Sequence, residues 1–301
     1  MVRKGLYGID MKTIVVTGAS GNLGGQLVEH LLSETNWNIV TFSSSNISKW
    51  EDENRIKQYR NNQIRQILPE IEADALVHLA FARRFRSNTD IATSIDFSEQ
   101  VFKAAHANPS CRVVNISTVG VYAPSDDFID ESAPIGPDSL YGMAKYASEV
   151  LLNSVFEDSK ERITNLRLGG VAQSQRLLPV FIENAIVNHQ ISIVGGTQQF
   201  SWIDIEDAIS AIVAILRVKK WKPVYNVTLN QKRYLITDIA NMVASQAQTL
   251  GFGDVAILVE PKEIHLCVGW NSEQFMNDSQ WIPRESIEET IKKMFPVSNK
   301  D

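Results

Sequence analysis

The sequence is poor in cysteine, in excess positive charge and in long apolar runs. Its two cysteines, Cys111 and Cys267, lie far apart, with no cysteine or histidine at metal-ligand spacing. We therefore expect buried thiols in a reducing compartment, and neither a disulfide nor a metal site. The formal net charge of −6 argues against a nucleic-acid surface. No apolar run approaches the roughly 20 residues that cross a bilayer, so we expect a cytoplasmic protein that binds neither nucleic acid nor membrane.

The composition is otherwise that of an ordinary globular chain. The 301 residues are 44% hydrophobic, which is enough for a sizeable core in one large or two small domains. Residues 1–10 lack the apolar core of a signal peptide, and we assign them no function. The first predicted strand starts almost directly after Met11.

A glycine-rich turn between a predicted strand and a predicted helix is the first motif with chemical meaning. Residues 13–16 are all β-branched, as in a strand buried on both faces of a parallel sheet. Gly18, Gly21 and Gly24 follow. Apolar residues then recur at helical spacing, at Leu23, Leu27, Val28 and Leu31. A backbone without Cβ atoms can approach a pyrophosphate and the helix N-terminus can bind it, so this order predicts dinucleotide binding. A glycine turn without a ligand is the alternative.

The second predicted strand, residues 38–42, ends without a carboxylate. The residues that follow it are Ser43, Ser44, Ser45 and Asn46. They stand where a dinucleotide fold places the acidic residue that binds the adenine ribose. Small polar side chains could donate hydrogen bonds to a 2′-phosphate, so NADP is favoured and NAD is the alternative. A plain polar turn is the other interpretation. Lys49 is the nearest base, and no arginine stands at the position that usually binds the 2′-phosphate.

A basic cluster follows the next predicted strand. Residues 47–73 are polar and charged and predict one or two surface helices, and the apolar stretch 74–80 predicts a buried strand. Arg83, Arg84 and Arg86 come next, and a guanidinium fork suits a diphosphate. A substrate phosphate site and a solvated basic loop are both open interpretations.

A tyrosine and a lysine four residues apart form the second motif. Tyr141 and Lys145 lie in a run with a helical pattern, residues 139–152, and their spacing puts both side chains on one face. An ammonium near a phenol favours the phenolate, so Tyr141 can exchange a proton with a substrate oxygen. Thr118 follows a further predicted strand, residues 111–117.

Together these motifs resemble the extended short-chain dehydrogenase/reductase family, in the epimerase/dehydratase branch that modifies nucleotide sugars. The resemblance rests on Thr-Gly-x-x-Gly-x-x-Gly at 17–24, Ser117-Thr118 and Tyr141-x-x-x-Lys145, and it extends to FSWIDIEDA at 200–208. All of these motifs occur in the family's order.

The resemblance implies an α/β fold: a doubly wound parallel sheet (Rossmann) with a smaller, discontinuous C-terminal substrate domain. The dinucleotide-binding domain would span 11–169, with 203–229 returning to it. The substrate domain would consist of 170–202 and 230–301, and the substrate would lie between the two domains.

The same resemblance assigns roles to individual residues. Tyr141 would donate a proton, Lys145 would tune Tyr141 and hold the nicotinamide ribose, and Thr118 would hydrogen-bond the carbonyl oxygen. Substrate contacts would come from Arg83, Arg84, Thr118 and Arg176. The cofactor-binding positions would be Gly18, Ser20, Gly21, Asn22, Leu23, Gly24, Ser43, Ser44, Ser45, Leu79, Ala80, Phe81, Ile116, Ser117, Tyr141, Lys145, Leu168 and Val171.

Several positions depart from the family pattern. Ser94 stands at a usual asparagine, and Gly170 stands where nucleotide-sugar enzymes often have an asparagine. Gln198 and Gln199 stand where an arginine usually precedes the segment that begins at Phe200. These departures leave open a reductase that acts on a small ketone or aldehyde outside sugar metabolism.

The two residues after Thr118 bear on the reaction. They are Val119 and Gly120, whereas sugar-nucleotide dehydratases of the family commonly have an Asp-Glu pair there. Neither residue can move a proton, so we predict hydride transfer without elimination of water. A nucleotide 4-keto-sugar reductase is the first interpretation, and a nucleotide-sugar epimerase is the alternative. A regulator that binds NADP without turnover is an alternative of another class.

The resemblance also implies a homodimer formed by the helices predicted near 90–107 and 141–157. Both helices have more apolar residues than one buried face requires. The residues that suggest this are Phe97, Phe102, Leu151, Leu152 and Val155.

Overall fold

The structure is a computed structural model that describes residues 12–45, 47–82, 88–174, 176–264 and 266–296. It divides into two compact units. The first contains the described residues up to Val121, together with Pro137–Arg167 and Ile212–Tyr225. The second contains Tyr122–Gly136, Leu168–Ala211 and the described residues from Asn226 onward.

Strands and helices alternate along most of the chain. In chain order the strands are β1 (Thr13–Thr17), β2 (Asn38–Ser43), β3 (Ile56–Arg60), β4 (Ala75–His78), β5 (Arg112–Thr118), β6 (Ile163–Leu168), β7 (Gly170–Val171), β8 (Gln190–Val194), β9 (Gln199–Phe200), β10 (Trp202–Ile203), β11 (Val224–Val227), β12 (Tyr234–Leu235) and β13 (Ala256–Glu260). The helices are α1 (Asn22–Glu34), α2 (Ile64–Ile67), α3 (Asn88–His106), α4 (Leu140–Val155), α5 (Leu177–Val187), α6 (Ile205–Ile215), α7 (Ile236–Thr249), α8 (Glu273–Ser279) and α9 (Ile287–Met294).

A seven-stranded parallel sheet forms the centre of the first unit, in the order β11, β6, β5, β4, β1, β2, β3. Ile14, Val15 and Val16 of β1 are fully buried, because parallel strands are covered on both faces and need apolar side chains on both. The fold class predicted from the sequence, an α/β doubly wound parallel sheet, is confirmed. Its parallel strands end at one common edge, where such folds bind their ligands.

The edge strand β3 was not expected. We predicted one or two surface helices over residues 47–73; helix α2 lies there, but the prediction missed a strand, because Ile56–Arg60 pairs in parallel with β2. The strand reads IKQYR, and Ile56 is its only buried residue. Such a polar sequence suits the solvent-facing edge of a sheet but lacks the apolar pattern by which strands are recognised. The register of this pair places Arg60 beside Ser43.

Helices α3 and α4 pack side by side against the sheet. Phe102 and Leu152 are fully buried in the resulting core, and Phe97, Leu151 and Val155 pack against it. Phe102 and Leu152 therefore have no surface left for a dimer contact, whereas Phe97, Leu151 and Val155 are only partly buried, and the dimer stays a prediction. The large apolar residues that α4 leaves exposed are Leu140, Met143 and Val150.

The second unit has its own hydrophobic core, formed mainly by α5, α7, α9 and the strand β8. Strand β13 pairs in parallel with β8. At the start of α6 two buried carboxylates hold later parts of the chain. Asp207 accepts hydrogen bonds from the backbone N–H groups of Arg284 and Glu285, both at 2.9 Å, and Asp204 accepts one from the Thr290 hydroxyl at 2.7 Å. These two acids of the FSWIDIEDA segment are thus structural anchors.

The unit boundaries differ from the predicted domain boundaries. Residues 122–136, 168–169, 203–211 and 226–229 group with the second unit, although the sequence placed them in the dinucleotide-binding domain. Local pairing explains the first of these segments. The backbone N–H of Asn226 donates to the Glu131 carboxylate at 2.7 Å, and that of Ala123 donates to the Pro134 carbonyl at 3.0 Å.

Within the described residues, no helix combines the length and the hydropathy needed to cross a membrane.

We predict that Gly24→Ala lowers the free energy of unfolding by about 1–3 kcal/mol, the usual cost of an overpacked core. A Cβ atom at Gly24 would stand 2.3 Å from the carbonyl oxygen of Gly18, so the backbone itself would have to move. Gly25→Ala is the control, because its Cβ would meet its nearest neighbour, the Ala19 carbonyl, at 3.3 Å. Chemical denaturation of both variants tests this; equal losses would contradict it.

Candidate dinucleotide-binding and catalytic site

The glycine turn joins β1 to α1 through unusually close backbone contacts. Gly18 has φ of +75°, and a Cβ atom there would stand 2.8 Å from the backbone nitrogen of Ala80. The Gly18 carbonyl accepts the N–H of Gly21 at 2.9 Å. Gly21 is the N-cap residue of α1, and no side chain caps that helix. Its first N–H groups therefore meet the requirement for binding an anion such as a pyrophosphate.

A cleft of about 320 Å³ lies over this turn at the carboxyl edge of the sheet. Its wall consists of Gly18, Ser20, Gly21, Ser43, Ser44, Asn61, Leu79, Ala80, Phe81, Ala82, Thr93, Ser94 and Phe97. None of these side chains is acidic. The cleft thus brings together eight of the positions that the sequence assigned to the cofactor. It adds Asn61, Ala82, Thr93, Ser94 and Phe97, which the sequence did not assign to it.

The serines after β2 differ in what they offer to the cleft. Ser43 is buried, and its hydroxyl donates a hydrogen bond to the Ser45 carbonyl. The expectation that all the hydroxyls here could donate to a phosphate is therefore wrong for Ser43, whose proton is already engaged. Ser44 and Ser45 are exposed. Asn46 lies outside the described residues.

A buried hydrogen-bond chain lies beneath the segment that follows β4. The Thr17 hydroxyl oxygen accepts the backbone N–H groups of Leu79 at 3.2 Å and Ala80 at 3.3 Å. Its own proton can then go to His78 Nδ1, 2.8 Å away, which leaves the His78 Nε2 proton for the Ser98 hydroxyl at 2.9 Å. Burial, assisted by the charge of Lys145, lowers the pKa of His78 to about 3, so the ring is neutral and this tautomer satisfies every group.

Ser94 of α3 holds the other end of the same segment. Its hydroxyl accepts the Ala82 backbone N–H at 3.1 Å and donates to the Asp90 carbonyl at 2.8 Å. Hydrogen bonds therefore fix the backbone on both sides of Phe81. This explains how a serine serves at a position where the family usually has an asparagine.

Thr118 and Tyr141 lie on two elements of the first unit that pack tightly together. Thr118 ends β5, and its hydroxyl oxygen accepts the Gly120 N–H at 3.2 Å. Tyr141 is in the first turn of α4, which Ser139 caps through the Gly142 N–H at 3.1 Å. A Cβ atom at Gly142 would stand 2.2 Å from the Gly120 carbonyl oxygen. The backbone of the helix that contains Tyr141 is thus in direct contact with the turn that follows Thr118.

Lys145 is buried, with 3% of its surface exposed. Its ammonium donates to the Ile116 carbonyl at 2.6 Å and lies 4.3 Å from the centre of the Phe81 ring. Phe81 also meets Tyr141, edge to face, with ring centres 6.3 Å apart. Burial lowers the pKa of Lys145 from 10.5 to about 7, against the opposing charge of Glu149. The geometry therefore joins Tyr141, Lys145 and the cleft residue Phe81 in one cluster.

A buried ion pair lies one helical turn beyond Lys145. Arg167 of β6 donates from two nitrogens to the Glu149 carboxylate, at 2.7 and 3.0 Å. The Ser117 hydroxyl donates to the same carboxylate. Ser117 thus turns its side chain toward α4, and only its backbone remains for the cofactor role that the sequence assigned to it. The Glu149 carboxylate is tolerated at this buried position because it is paired with a cation and hydrogen-bonded.

The remaining predicted positions lie on several other elements. Asn22 is exposed and Leu23 half-buried in the first turn of α1. Leu168 and Val171 are buried in the second unit, and Arg176 is exposed there at the start of α5. Arg83 and Arg84 lie outside the described residues.

Known proteins resemble this chain in sequence. The family model described as "NAD dependent epimerase/dehydratase family" matches residues 14–228. The dTDP-glucose 4,6-dehydratase of Neisseria meningitidis is 22% identical, over 94% of this chain and 92% of that protein. The dTDP-4-dehydro-6-deoxyglucose reductase of Escherichia coli is 20% identical, over 88% of this chain and 94% of that protein.

Solved structures show the same fold. The dTDP-glucose 4,6-dehydratase of Bacillus anthracis, in complex with NAD, superposes with a TM-score of 0.78 at 16% identity, and the match covers 94% of each chain. The UDP-glucuronic acid 4-epimerase of Bacillus cereus, in complex with UDP-glucuronic acid and NAD, gives 0.76 at 21% identity and covers 93% of this chain and 96% of that one. Because the family model spans most of the sequence and the fold agrees, the chain belongs to the NAD-dependent epimerase/dehydratase family.

Proposed function

We propose that the protein is an NADPH-dependent reductase that converts the 4-keto group of a nucleotide-activated sugar to an alcohol. The observation that carries this proposal is the cluster of Tyr141, Lys145 and Phe81, which unites a proton donor with the wall of a dinucleotide cleft. The family and the nucleotide-sugar substrates in the names of its relatives support the substrate class.

Each residue has a definite task in this mechanism. The chemistry that bound NADPH would supply is a hydride for the carbonyl carbon. Tyr141 donates its phenolic proton to the carbonyl oxygen, which completes the alcohol. Thr118 already accepts the Gly120 N–H at its hydroxyl oxygen, so its own proton is available to hydrogen-bond the same substrate oxygen. Lys145, on the same helical face as Tyr141, stabilises the phenolate that remains.

The surroundings of Thr118 favour reduction over dehydration. Elimination of water requires an acid and a base beside the substrate, and the residues that follow Thr118 are Val119, which is buried, and Gly120. Neither can transfer a proton. Epimerisation is the second candidate, since it also uses Tyr141 and Lys145. Among its described lining residues, the cleft lacks the acidic residue that usually binds the adenine ribose. We prefer reduction because a reductase must release its cofactor after each turnover, whereas an epimerase regenerates the cofactor in place.

The cleft also supports NADP over NAD. None of the described side chains that line it is a carboxylate, so none of them repels a 2′-phosphate. Ser44, which lines the cleft, and Ser45, the next residue, are exposed and can donate hydrogen bonds to phosphate oxygens.

Stoichiometry tests the reaction. When the protein is incubated with a nucleotide 4-keto-sugar and NADPH, we expect one NADPH to be oxidised per sugar converted, measured by nicotinamide absorbance. Tyr141→Phe should lower the rate by about 10²–10⁴-fold, the usual worth of proton transfer, with nearly unchanged affinity for NADPH. Tyr146→Phe, on the same helix, is the matched control and should keep the rate. Isomerisation of a nucleotide sugar without net NADPH oxidation would instead favour the epimerase.

The buried ammonium of Lys145 yields a test with a defined pH dependence. The folded protein releases this proton near pH 7, whereas the unfolded chain holds it until about pH 10.5. The buried charge therefore lowers the free energy of unfolding by its full amount below pH 7, and by less and less as the pH rises toward 10. We expect Lys145→Met to raise the free energy of unfolding by about 1–3 kcal/mol at pH 6.5, by less at pH 9.5, and to abolish turnover.

Lys103→Met is the control for that measurement. Lys103 is exposed and pairs with Glu99 on the surface of α3, so its loss should change stability little at either pH. A Lys145→Met variant that is less stable than the wild type at pH 6.5 would contradict the assignment.

We also propose a homodimer that pairs α4 with its copy in a second chain. Leu140, Met143 and Val150 share one face of α4 and are 53%, 51% and 50% exposed. We expect a dimer at micromolar concentration by light scattering and a monomer for Met143→Glu, because a buried unpaired carboxylate is costly. Val187→Glu, at an exposed apolar position of α5, should leave the dimer intact. A monomeric wild-type protein would refute the proposal.

A further inference from the structure

An arginine that the sequence did not single out lies next to two residues of the cleft wall, Ser44 and Asn61. Arg60 is the last residue of β3, and the sheet register sets it beside Ser43 at the end of β2. Its Nη1 donates a hydrogen bond to the Ser44 carbonyl at 2.6 Å. The guanidinium is thus tied to the same turn that a dinucleotide fold uses to bind the adenine ribose.

Among the described residues, Arg60 has no carboxylate partner that neutralises its charge. In the described part of the chain, no carboxylate forms an ion pair with Arg60, and the cleft wall has no acidic side chain. Lys49, which the sequence offered as the nearest base, is engaged elsewhere: its ammonium pairs with Glu29 at 2.7 Å and lies over the Trp50 ring. Of these two basic residues, Arg60 is therefore the one that remains for an anion bound at this turn.

The shape of the guanidinium suits a phosphate. With Nη1 held by the Ser44 carbonyl, Nε and Nη2 keep their protons and form one side of a planar fork. Such a fork binds two phosphate oxygens at once, which the point charge of a lysine cannot do. Ser44, whose carbonyl binds Arg60, and Ser45 are both exposed.

Asn61, the next residue, gives a second sign of a ligand. Its Oδ1 is buried at the wall of the same cleft, and no donor among the described residues reaches it. Buried acceptors in native structures are almost always satisfied. The adenosine part of a dinucleotide carries an amino group and hydroxyl groups that can supply the missing donor.

We propose that Arg60 selects NADP(H) over NAD(H) by binding the 2′-phosphate of the adenosine ribose. This inference rests on the proposed use of NADPH and names the residue that enforces it. The selecting arginine comes from β3, one strand farther toward the sheet edge than the turn after β2, and reaches that turn through strand pairing.

Direct binding measurements on the full chain test the proposal without turnover. Dissociation constants for NADPH and NADH are measured by calorimetry for the wild type, Arg60→Gln and Arg60→Lys. We expect the wild type to bind NADPH more tightly than NADH. Arg60→Gln should weaken the affinity for NADPH by about 10- to 100-fold, in the range of one charge-assisted bidentate contact. Its affinity for NADH should stay unchanged. The NADPH affinity of Arg60→Lys should lie between those of the wild type and Arg60→Gln, since lysine keeps the charge and lacks the planar fork.

Arg65→Gln is the matched control. It removes the same charge from an exposed arginine of the neighbouring helix α2, so it should leave both affinities unchanged if the contact is local. Added salt should reduce the difference in affinity between NADPH and NADH for the wild type. For Arg60→Gln it should have little effect on that difference. Thermal unfolding of each variant verifies that it is folded.

The outcomes separate this inference from the cofactor proposal. If the wild type binds NADH as tightly as NADPH, the use of NADPH is itself refuted. If the wild type prefers NADPH and Arg60→Gln keeps that preference, the cofactor proposal stands and the role of Arg60 is refuted. An equal loss of affinity for both cofactors would show that Arg60 only supports the Ser44 turn, and would also overturn the inference.

Discussion

Direct contact between backbone segments at the glycine turn is the constraint on which the site of the first unit depends. At Gly18 the chain passes so near Ala80 that any side chain would collide with it, and α1 starts against the Gly18 carbonyl at Gly24. This closeness lets one hydroxyl, that of Thr17, hold the backbone of Leu79 and Ala80. Phe81 follows directly, and its ring contacts both Tyr141 and Lys145.

The motifs that the sequence revealed are those in which spacing along the chain determines position in space. The glycines, the Tyr141 and Lys145 pair and the apolar strands belong to this class, because a turn or one helix face is set by neighbours a few residues apart. The doubly wound fold followed from the same signals. Strand β3 was missed because its sequence, IKQYR, has the polarity of a surface segment.

Other features depend on pairing between distant segments, and the sequence could not reveal them. Arg60 reaches Ser44 only because β3 aligns with β2 in one register. A local contact was missed as well: Ser43 looked equivalent to Ser44 and Ser45, yet its hydroxyl donates to the Ser45 carbonyl two residues further on. Asp204 and Asp207 belong to a family motif, but only their contacts with Thr290, Arg284 and Glu285 show that they anchor later segments.

The first unit is discontinuous, and this matters for how the protein is made. Residues Ile212–Tyr225 return to it, and they include the first part of β11, the sheet neighbour of β6. The ribosome synthesises β7 to β10 and α6 before β11. Until β11 has been made, β6 is therefore an unpaired edge strand of the sheet. All six residues of β6 are buried in the finished protein, and an uncovered apolar edge strand invites pairing with other chains. A shortened gene for the nucleotide-binding half must therefore extend through Val227, because a fragment that stops after β6 would encode an aggregation-prone sheet.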